Sequence, residues 1–250
     1  MAEPLLAVER LRKSYGALVV SDDVTFDVRA GKLHTLIGPN GAGKTSLINQ
    51  LSGTLASDAG AVRLDGVAMT PLGIAELVRH GIVRSFQITS VLAGFSALEN
   101  VALAVQARSG SSFRFWAPAA REVGLNAQAM AALDRVGLAA RAGVLAGLLS
   151  HGEKRLLELA IALARRPKLL LLDEPLAGLG REESADCIAL LRRLKSETTI
   201  LLVEHDMDAV FALADRISVL VAGRVIATGP PAAISANGAV RAAYLGEAAA

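Results

Sequence analysis

The stretch HTLIGPNGAGKTSLINQL, residues 34–51, constrains the fold more than any other part of this chain. HTLIG reads as a buried strand, a glycine-rich turn follows, and KTSLINQLSG has helical periodicity. The turn, GPNGAGKT from Gly38 to Thr45, fits G-x-x-x-x-G-K-[ST] between a strand and a helix, the context in which that spacing has physical meaning. Gly41 and Gly43 allow backbone N–H groups to wrap phosphate oxygens, and the helix opening near Lys44 aims its positive end at them. Lys44 supplies a cation for the β- and γ-phosphates, and Thr45 a hydroxyl for Mg²⁺. Gly38, Pro39, Asn40, Gly41, Ala42, Gly43, Lys44, Thr45 and Ser46 are therefore the candidate phosphate-binding residues.

The rest of the chain supplies the sheet that such a turn needs. VTFDV alternates as a half-buried strand, AVRLDG ends in a turn at Asp65-Gly66, and Thr70-Pro71 predicts the cap and first position of a helix reaching about Arg79. GIVRSF is a short strand. From about 88 to 150 the chain becomes Ala- and Leu-rich and helical in pattern, interrupted by RSGSSFRFWAP, which reads as a loop. Strand–helix alternation then resumes. KLLLLDE has no alternation and predicts burial on both faces. REESADCIALLRRLKS is an amphipathic helix, TILLVEH a buried strand, DMDAVFALA a helix, and RISVLVAGRVIATG a hairpin turning at Ala222-Gly223. This order predicts an α/β layer fold with a mainly parallel sheet.

Further constellations fall at strand ends. LLLLDE closes an apolar strand with Asp173 and Glu174, which belong at the carboxyl edge of the sheet, where ligands of open α/β folds sit. Adjacent residues point to opposite faces, so the two carboxylates have different tasks: one serves a metal, the other polarises an attacking water. His205 ends TILLVEH on the same edge, within reach of a γ-phosphate, although a lone His there is commonly a loop residue. Gln87 follows GIVRSF and fits either a surface amide or a contact to metal or water. Tyr15 fits either a ring stacked on adenine or a half-exposed core edge. LSHGEKR, residues 149–155, is a capping box: Ser150 and Glu153 satisfy each other's backbone N–H groups at the start of the apolar helix LLELAIALA. A helix start also attracts phosphate, so the same segment is open to a second use.

Composition narrows the classes. A net charge of +2 gives no reason to expect nucleic acid, and one cysteine excludes an intrachain disulfide. Cys187 lies in an apolar helical pattern and is expected to pack as a small hydrophobe. Neither a secretory leader nor an unbroken apolar stretch of about 18 residues is visible, so the expectation is a cytosolic protein.

Taken in order, Tyr15, GPNGAGKT, Gln87, LSHGE, LLLLDEP and His205 resemble the ATP-binding subunit of ABC transporters over nearly the whole chain. The resemblance implies a P-loop NTPase core with a mainly parallel sheet, an antiparallel β subdomain, and a helical subdomain at about 88–150, all within a single 1–250 domain. It implies ATP and Mg²⁺. Tyr15 would stack on adenine, and the 38–46 segment and Gln87 would bind nucleotide, with Thr45, Gln87 and Asp173 serving the metal. Glu174 would be the catalytic base, Lys44 and His205 phosphate contacts. Ser150, His151, Gly152 and Glu153 would close over ATP bound to a second ATP-binding subunit. The insertion would dock on transmembrane permease subunits, placing the protein on the inner face of the membrane, linked indirectly to a solute-binding protein.

GIVRSFQ, LSHGEKR, LAGLG, VEHDMD and the tail with Tyr244-Leu245-Gly246 look like the branched-chain amino acid importer group; urea and amide importers look similar. His151 and Glu153 depart from the commoner LSGGQ, and Gly180 stands where the family often has a carboxylate. A soluble ABC ATPase and a module that binds ATP without turnover are the rival classes. A long coiled coil or tandem cassettes would mark the first, and loss of a base at Glu174 the second; neither is found.

Overall fold

The computed structural model describes residues 3–85, 91–109 and 123–245. Two sheets organise them. Strands β1 (Leu6–Tyr15), β2 (Leu18–Val28), β4 (Ala59–Leu64) and β5 (Val67–Ala68) form an antiparallel sheet in the order β2-β1-β4-β5. The six-stranded sheet runs β10-β9-β3-β8-β7-β6, comprising β3 (Leu33–Ile37), β6 (Ile82–Arg84), β7 (Leu169–Asp173), β8 (Thr199–Val203), β9 (Arg216–Val221) and β10 (Arg224–Gly229). Its first five-strand block from β6 to β9 is parallel, and only the edge strand β10 is antiparallel.

The side-chain period of a strand explains the apolar runs. In β7, Leu170 and Leu172 enter one core with Ile200 and Leu202 of β8, while Leu169 and Leu171 enter another with Leu201 and Val203. Both faces are dry, so no polar residue alternates. The first core contains α5 (His151–Ala164), α6 (Arg181–Leu194) and the helices of the 88–150 stretch, α3 (Ala97–Ser109) and α4 (Val123–Arg135). The second is filled by α1 (Lys44–Leu51) and the inner face of the antiparallel sheet. A smaller core joins β3 and β9 to α7 (Met207–Leu213), α8 (Pro231–Ser235) and α9 (Gly238–Leu245) through Val210, Ile234 and Val240. Cys187 is buried in the first core, where burial pushes its thiol up to about 11. Among the described residues no helix is long and apolar enough to cross a membrane.

One expected boundary is wrong. The helix assigned from Pro71 is α2 (Ile74–His80), with Gly73 at its cap. The Thr70 hydroxyl instead accepts the N–H of Val62 at 2.9 Å, tying the turn to β4, and the Leu72 N–H closes on the Met69 carbonyl at 2.8 Å. A hydroxyl already committed to a strand does not cap a helix. The predicted turn at Asp65-Gly66 and the predicted hairpin at Ala222-Gly223 both form, each pair at positive φ, as tight primed turns require, and the first also proves to join a hairpin, β4 to β5. The loop read at RSGSSFRFWAP lies almost wholly outside the described residues.

His34, on β3 beneath the glycine-rich turn, is 1% exposed. Its Nε2 lies 2.8 Å from Ser218 Oγ, which lies 2.8 Å from Thr228 Oγ1. Burial first, then Arg216, lowers its pKa to about 4, against a weaker opposing effect of Asp27. The folded protein therefore refuses a proton that the unfolded chain accepts below about 6.5. Stability is complete above that pH and is lost as pH falls from 6.5 toward 4, by up to about 3 kcal/mol. Urea titrations at pH 7.5 and 5.0 should differ by roughly 2 kcal/mol, and His34→Gln should reduce the difference. An undiminished difference in the variant would exclude His34 as its source.

Candidate active site

Strands β3, β8 and β7 lie side by side and parallel, with Leu36 paired to Val203 and Val203 to Asp173. Their carboxyl ends are level. The chain leaves β3 into the glycine-rich turn, β7 into Glu174, and β8 into Glu204 and His205, all at one sheet edge.

The turn is shaped by close backbone approach. A Cβ on Gly38 would stand 2.0 Å from the Leu220 carbonyl oxygen, and one on Gly43, at φ +100, would stand 2.2 Å from that of Val20. Neither position admits another residue without moving a strand. Gly43 caps α1 without any side-chain acceptor, and the first turn of α1 contains no carboxylate. That helix end is thus left for an anion. Lys44 is nearly buried; its Nζ donates to the carbonyls of Gly38 at 2.6 Å and Pro39 at 2.9 Å, holding the ammonium inside the turn. Asn40, Gly41 and Thr45 of the same segment are exposed, as is Tyr15. The Tyr15 ring stands at the end of β1 with Lys13 Nζ 5.7 Å from its centroid.

Asp173 ends β7 at 2% exposure. Its Oδ2 accepts from Arg84 Nη2 at 2.8 Å, and Arg84 Nη1 donates to Asn49 Oδ1 of α1 at 2.5 Å. Burial raises the Asp173 pKa and Glu174 adds to it; Arg84 and Lys44 oppose. Asp173 Oδ1 is buried and has no hydrogen-bond partner among the described residues. An acceptor-only oxygen in that condition suits a hard cation. Among the described residues no cluster of three or more His, Cys, Asp or Glu could hold a metal alone. A cation here would share Asp173 with the Thr45 hydroxyl and phosphate oxygens, the ligand balance typical of Mg²⁺.

Glu174 follows at φ +49, a left-handed conformation rare for Glu. Its N–H donates to Val203 O at 2.9 Å, and its Oε1 lies 3.8 Å from His205 Nδ1. His205 Nδ1 is also 3.9 Å from Glu204 Oε2. Glu204 itself is 1% exposed; its Oε1 accepts the Leu176 N–H at 3.0 Å and its Oε2 the His205 N–H at 3.1 Å.

Ser150, His151, Gly152 and Glu153 stand at the start of α5. The capping box is present: Ser150 Oγ accepts the Glu153 N–H at 3.1 Å, and Glu153 Oε2 accepts the Ser150 N–H at 2.8 Å. Glu153 Oε1 is also 2.8 Å from Arg141 Nε. The Ser150 N–H first, and Arg141 with it, hold the Glu153 carboxyl below its ordinary range. Gly152 packs on Glu183 of α6, where a Cβ would meet Oε1 at 2.6 Å. His151 stands over Gly178, whose Cβ would be 3.6 Å from Nε2. Ser150 and His151 are exposed. Gln87 lies outside the described residues.

A family model described as ABC transporter matches residues 21–177, more than half of the chain. The chain belongs to the ABC transporter family. A second model, branched-chain amino acid ATP-binding cassette transporter, matches residues 224–250. The high-affinity branched-chain amino acid transport ATP-binding protein BraF of Pseudomonas aeruginosa is 38% identical over 99% of this cassette and 100% of its own length. LivG of Escherichia coli, with the same description, is 36% identical over the same shares. Among solved structures, the ADP conformation of the ATP-binding cassette MJ1267 superposes with a TM-score of 0.85 at 30% identity, covering 98% of this chain and 100% of that one. The protein is thus an ABC ATPase and a nucleotide-binding subunit, with the expected P-loop core, parallel sheet and antiparallel sheet.

Within this cassette, Lys44, Asp173, Glu174 and His205 meet at one edge, whereas the Ser150–Glu153 segment opens a different helix, against α6. Arg84, Glu204 and Arg141 escaped the sequence reading. Arg84 sits inside the strand GIVRSF, and an Arg in a buried strand is the one signal that pointed to a buried acid partner. Gly180, which lacks the carboxylate common in the family, caps α6, its N–H donating to Glu183 Oε2 at 3.0 Å.

Proposed function

We propose that this cassette is the ATP-hydrolysing subunit of an importer for branched-chain or other hydrophobic amino acids. The observation that supports the ATPase chemistry is the level edge of β3, β8 and β7, which gathers the glycine-rich turn, a buried carboxylate and a Glu–His pair. The solute class is supported by the names of full-length relatives and by the C-terminal match to a branched-chain amino acid cassette model.

In this reading the 38–46 backbone, Lys44 and the amino end of α1 bind the phosphates, and Tyr15 stacks on adenine. Asp173, Thr45 and Gln87 hold Mg²⁺, which when bound neutralises phosphate charge. Glu174 takes the proton of the attacking water, and His205 contacts the γ-phosphate. The nucleotide face is open in one copy, with Thr45 and Tyr15 exposed, while Ser150 and His151 are exposed elsewhere. A head-to-tail pair joins the two surfaces, each Ser150 segment covering the partner's ATP. The pair, of identical subunits or close paralogues, sits at the inner face of the membrane on two permease subunits. A solute-binding protein supplies the solute to the permeases, and nucleic acid has no part.

Affinity purification from detergent-solubilised membranes, followed by reconstitution into vesicles, tests this. Two multi-span proteins should co-purify, and ATP turnover should drive uptake of labelled leucine, isoleucine or valine. Uptake of urea or amides alone would overturn the solute class. Turnover with no membrane partner would overturn the transport role.

A further inference from the structure

Glu204 is a buried carboxylate with His205 Nδ1 3.9 Å from its Oε2. Removing a charge from water is costly, so a neutral residue would ordinarily be favoured there. The hydrogen bonds explain why a carboxylate is present. One oxygen accepts the N–H of Leu176, two residues beyond Glu174; the other accepts the N–H of His205. Backbone donors converge from two different loops: Leu176 from one, His205 and Asp206 from the other. Only a carboxylate presents two acceptors and no donor; a Gln would turn an NH₂ toward one of the N–H groups. Burial raises the Glu204 pKa above the ordinary carboxylate range, and the N–H donors of Leu176, His205 and Asp206 oppose it only in part.

The Leu176 bond bears on strain. Glu174 is held at φ +49, a conformation that persists only when its surroundings over-determine it. Three hydrogen bonds restrain that turn: Glu174 N–H to Val203 O at 2.9 Å, Ala177 N–H to Glu174 O at 3.1 Å, and Leu176 N–H to Glu204 Oε1 at 3.0 Å. Glu204 provides the only one of these that also ties the turn to the His205 backbone.

We propose that Glu204 is a positioning residue for ATP hydrolysis, its carboxylate clamping the 174–177 turn to the His205 loop so that the Glu174 carboxylate and the His205 ring keep their relative places. The proposal rests on the reading of Glu174 as base and His205 as phosphate contact. It separates chemistry from binding, because the hydrogen bonds of Glu204 go to Leu176, His205 and Asp206 and not to the 38–46 turn.

The test compares Glu204→Gln with Thr199→Val in the purified protein. Thr199, at the opposite end of β8, also accepts a backbone N–H, that of Gly31 at 3.0 Å, and is also buried. One variant deletes a side-chain acceptor at the first residue of β8 and the other at the residue just after its last, and both should lower the urea midpoint. Only Glu204→Gln should lower kcat, by about tenfold or more, with KM for ATP within about twofold of the parent, because misplacing a reacting group by a fraction of an ångström slows the chemical step. A kcat for Glu204→Gln within twofold of the parent overturns the proposal, as does an equal loss of kcat in Thr199→Val. Glu174→Gln is run beside them: full turnover in that variant overturns the reading of the base and the proposal with it, whereas its loss together with an active Glu204→Gln overturns the proposal alone.

Discussion

Glu174→Gln should lower ATP turnover by about 10²–10³-fold while leaving ATP binding intact, because amide and carboxylate have the same size but only the carboxylate takes a proton from water. The side chain leaves the carboxyl end of β7, 3.8 Å from His205 Nδ1 and with a little over a quarter of its surface exposed, so it reaches a water on the open edge of the sheet. Its neighbour Asp173 is turned inward to Arg84 and does not take over the task. With hydrolysis blocked and phosphate binding retained, ATP should hold two copies together. Size-exclusion chromatography with saturating ATP should then show a dimer for Glu174→Gln. Turnover within threefold of the parent would remove Glu174 from the mechanism, and a strictly monomeric variant would remove the head-to-tail pair.

Lys44→Ala should weaken ATP binding by about two orders of magnitude or more and abolish turnover at ordinary ATP concentrations, since truncating a nearly buried charged donor costs several kcal/mol of binding. The ammonium does two things in this fold. It braces the turn through the Gly38 and Pro39 carbonyls, and it stands at the amino end of α1, where phosphate is expected to bind. Fluorescence titration with ATP reads the loss directly, and circular dichroism should show an unchanged helix content. Parent-like affinity in a folded variant would mean that the backbone N–H groups and the end of α1 hold the phosphates without it.

Much of the fold is legible because its signals are local. The turn at Gly38–Thr45 announces itself by residue types at fixed spacing, and the structure shows why Gly38 and Gly43 are fixed: the carbonyls of Leu220 and Val20 occupy the space of a side chain. The unbroken apolar runs in β7 and β8 follow from two dry faces. The primed turns at Asp65-Gly66 and Ala222-Gly223 follow from their φ requirement. Strand β1 escaped because its pairing shifts register between Val8 and Leu11 and again before Ser14, with Arg10 at positive φ; a bulged strand loses the period of two on which recognition depends. The early start assigned to α2 failed because the Thr70 hydroxyl had a better partner on another strand.

The chain's own residue order thus determined the glycine-rich turn, the parallel sheet, the capping box at Ser150 and the residue types at the strand ends. Only the tertiary structure decided their partners: Arg84 for Asp173 across 89 positions, Arg141 for Glu153, and Leu176 and His205 for Glu204. The physical reason is that periodicity and turn chemistry act within a few residues, whereas a buried charge is matched through space by whatever the packed sheet brings beside it.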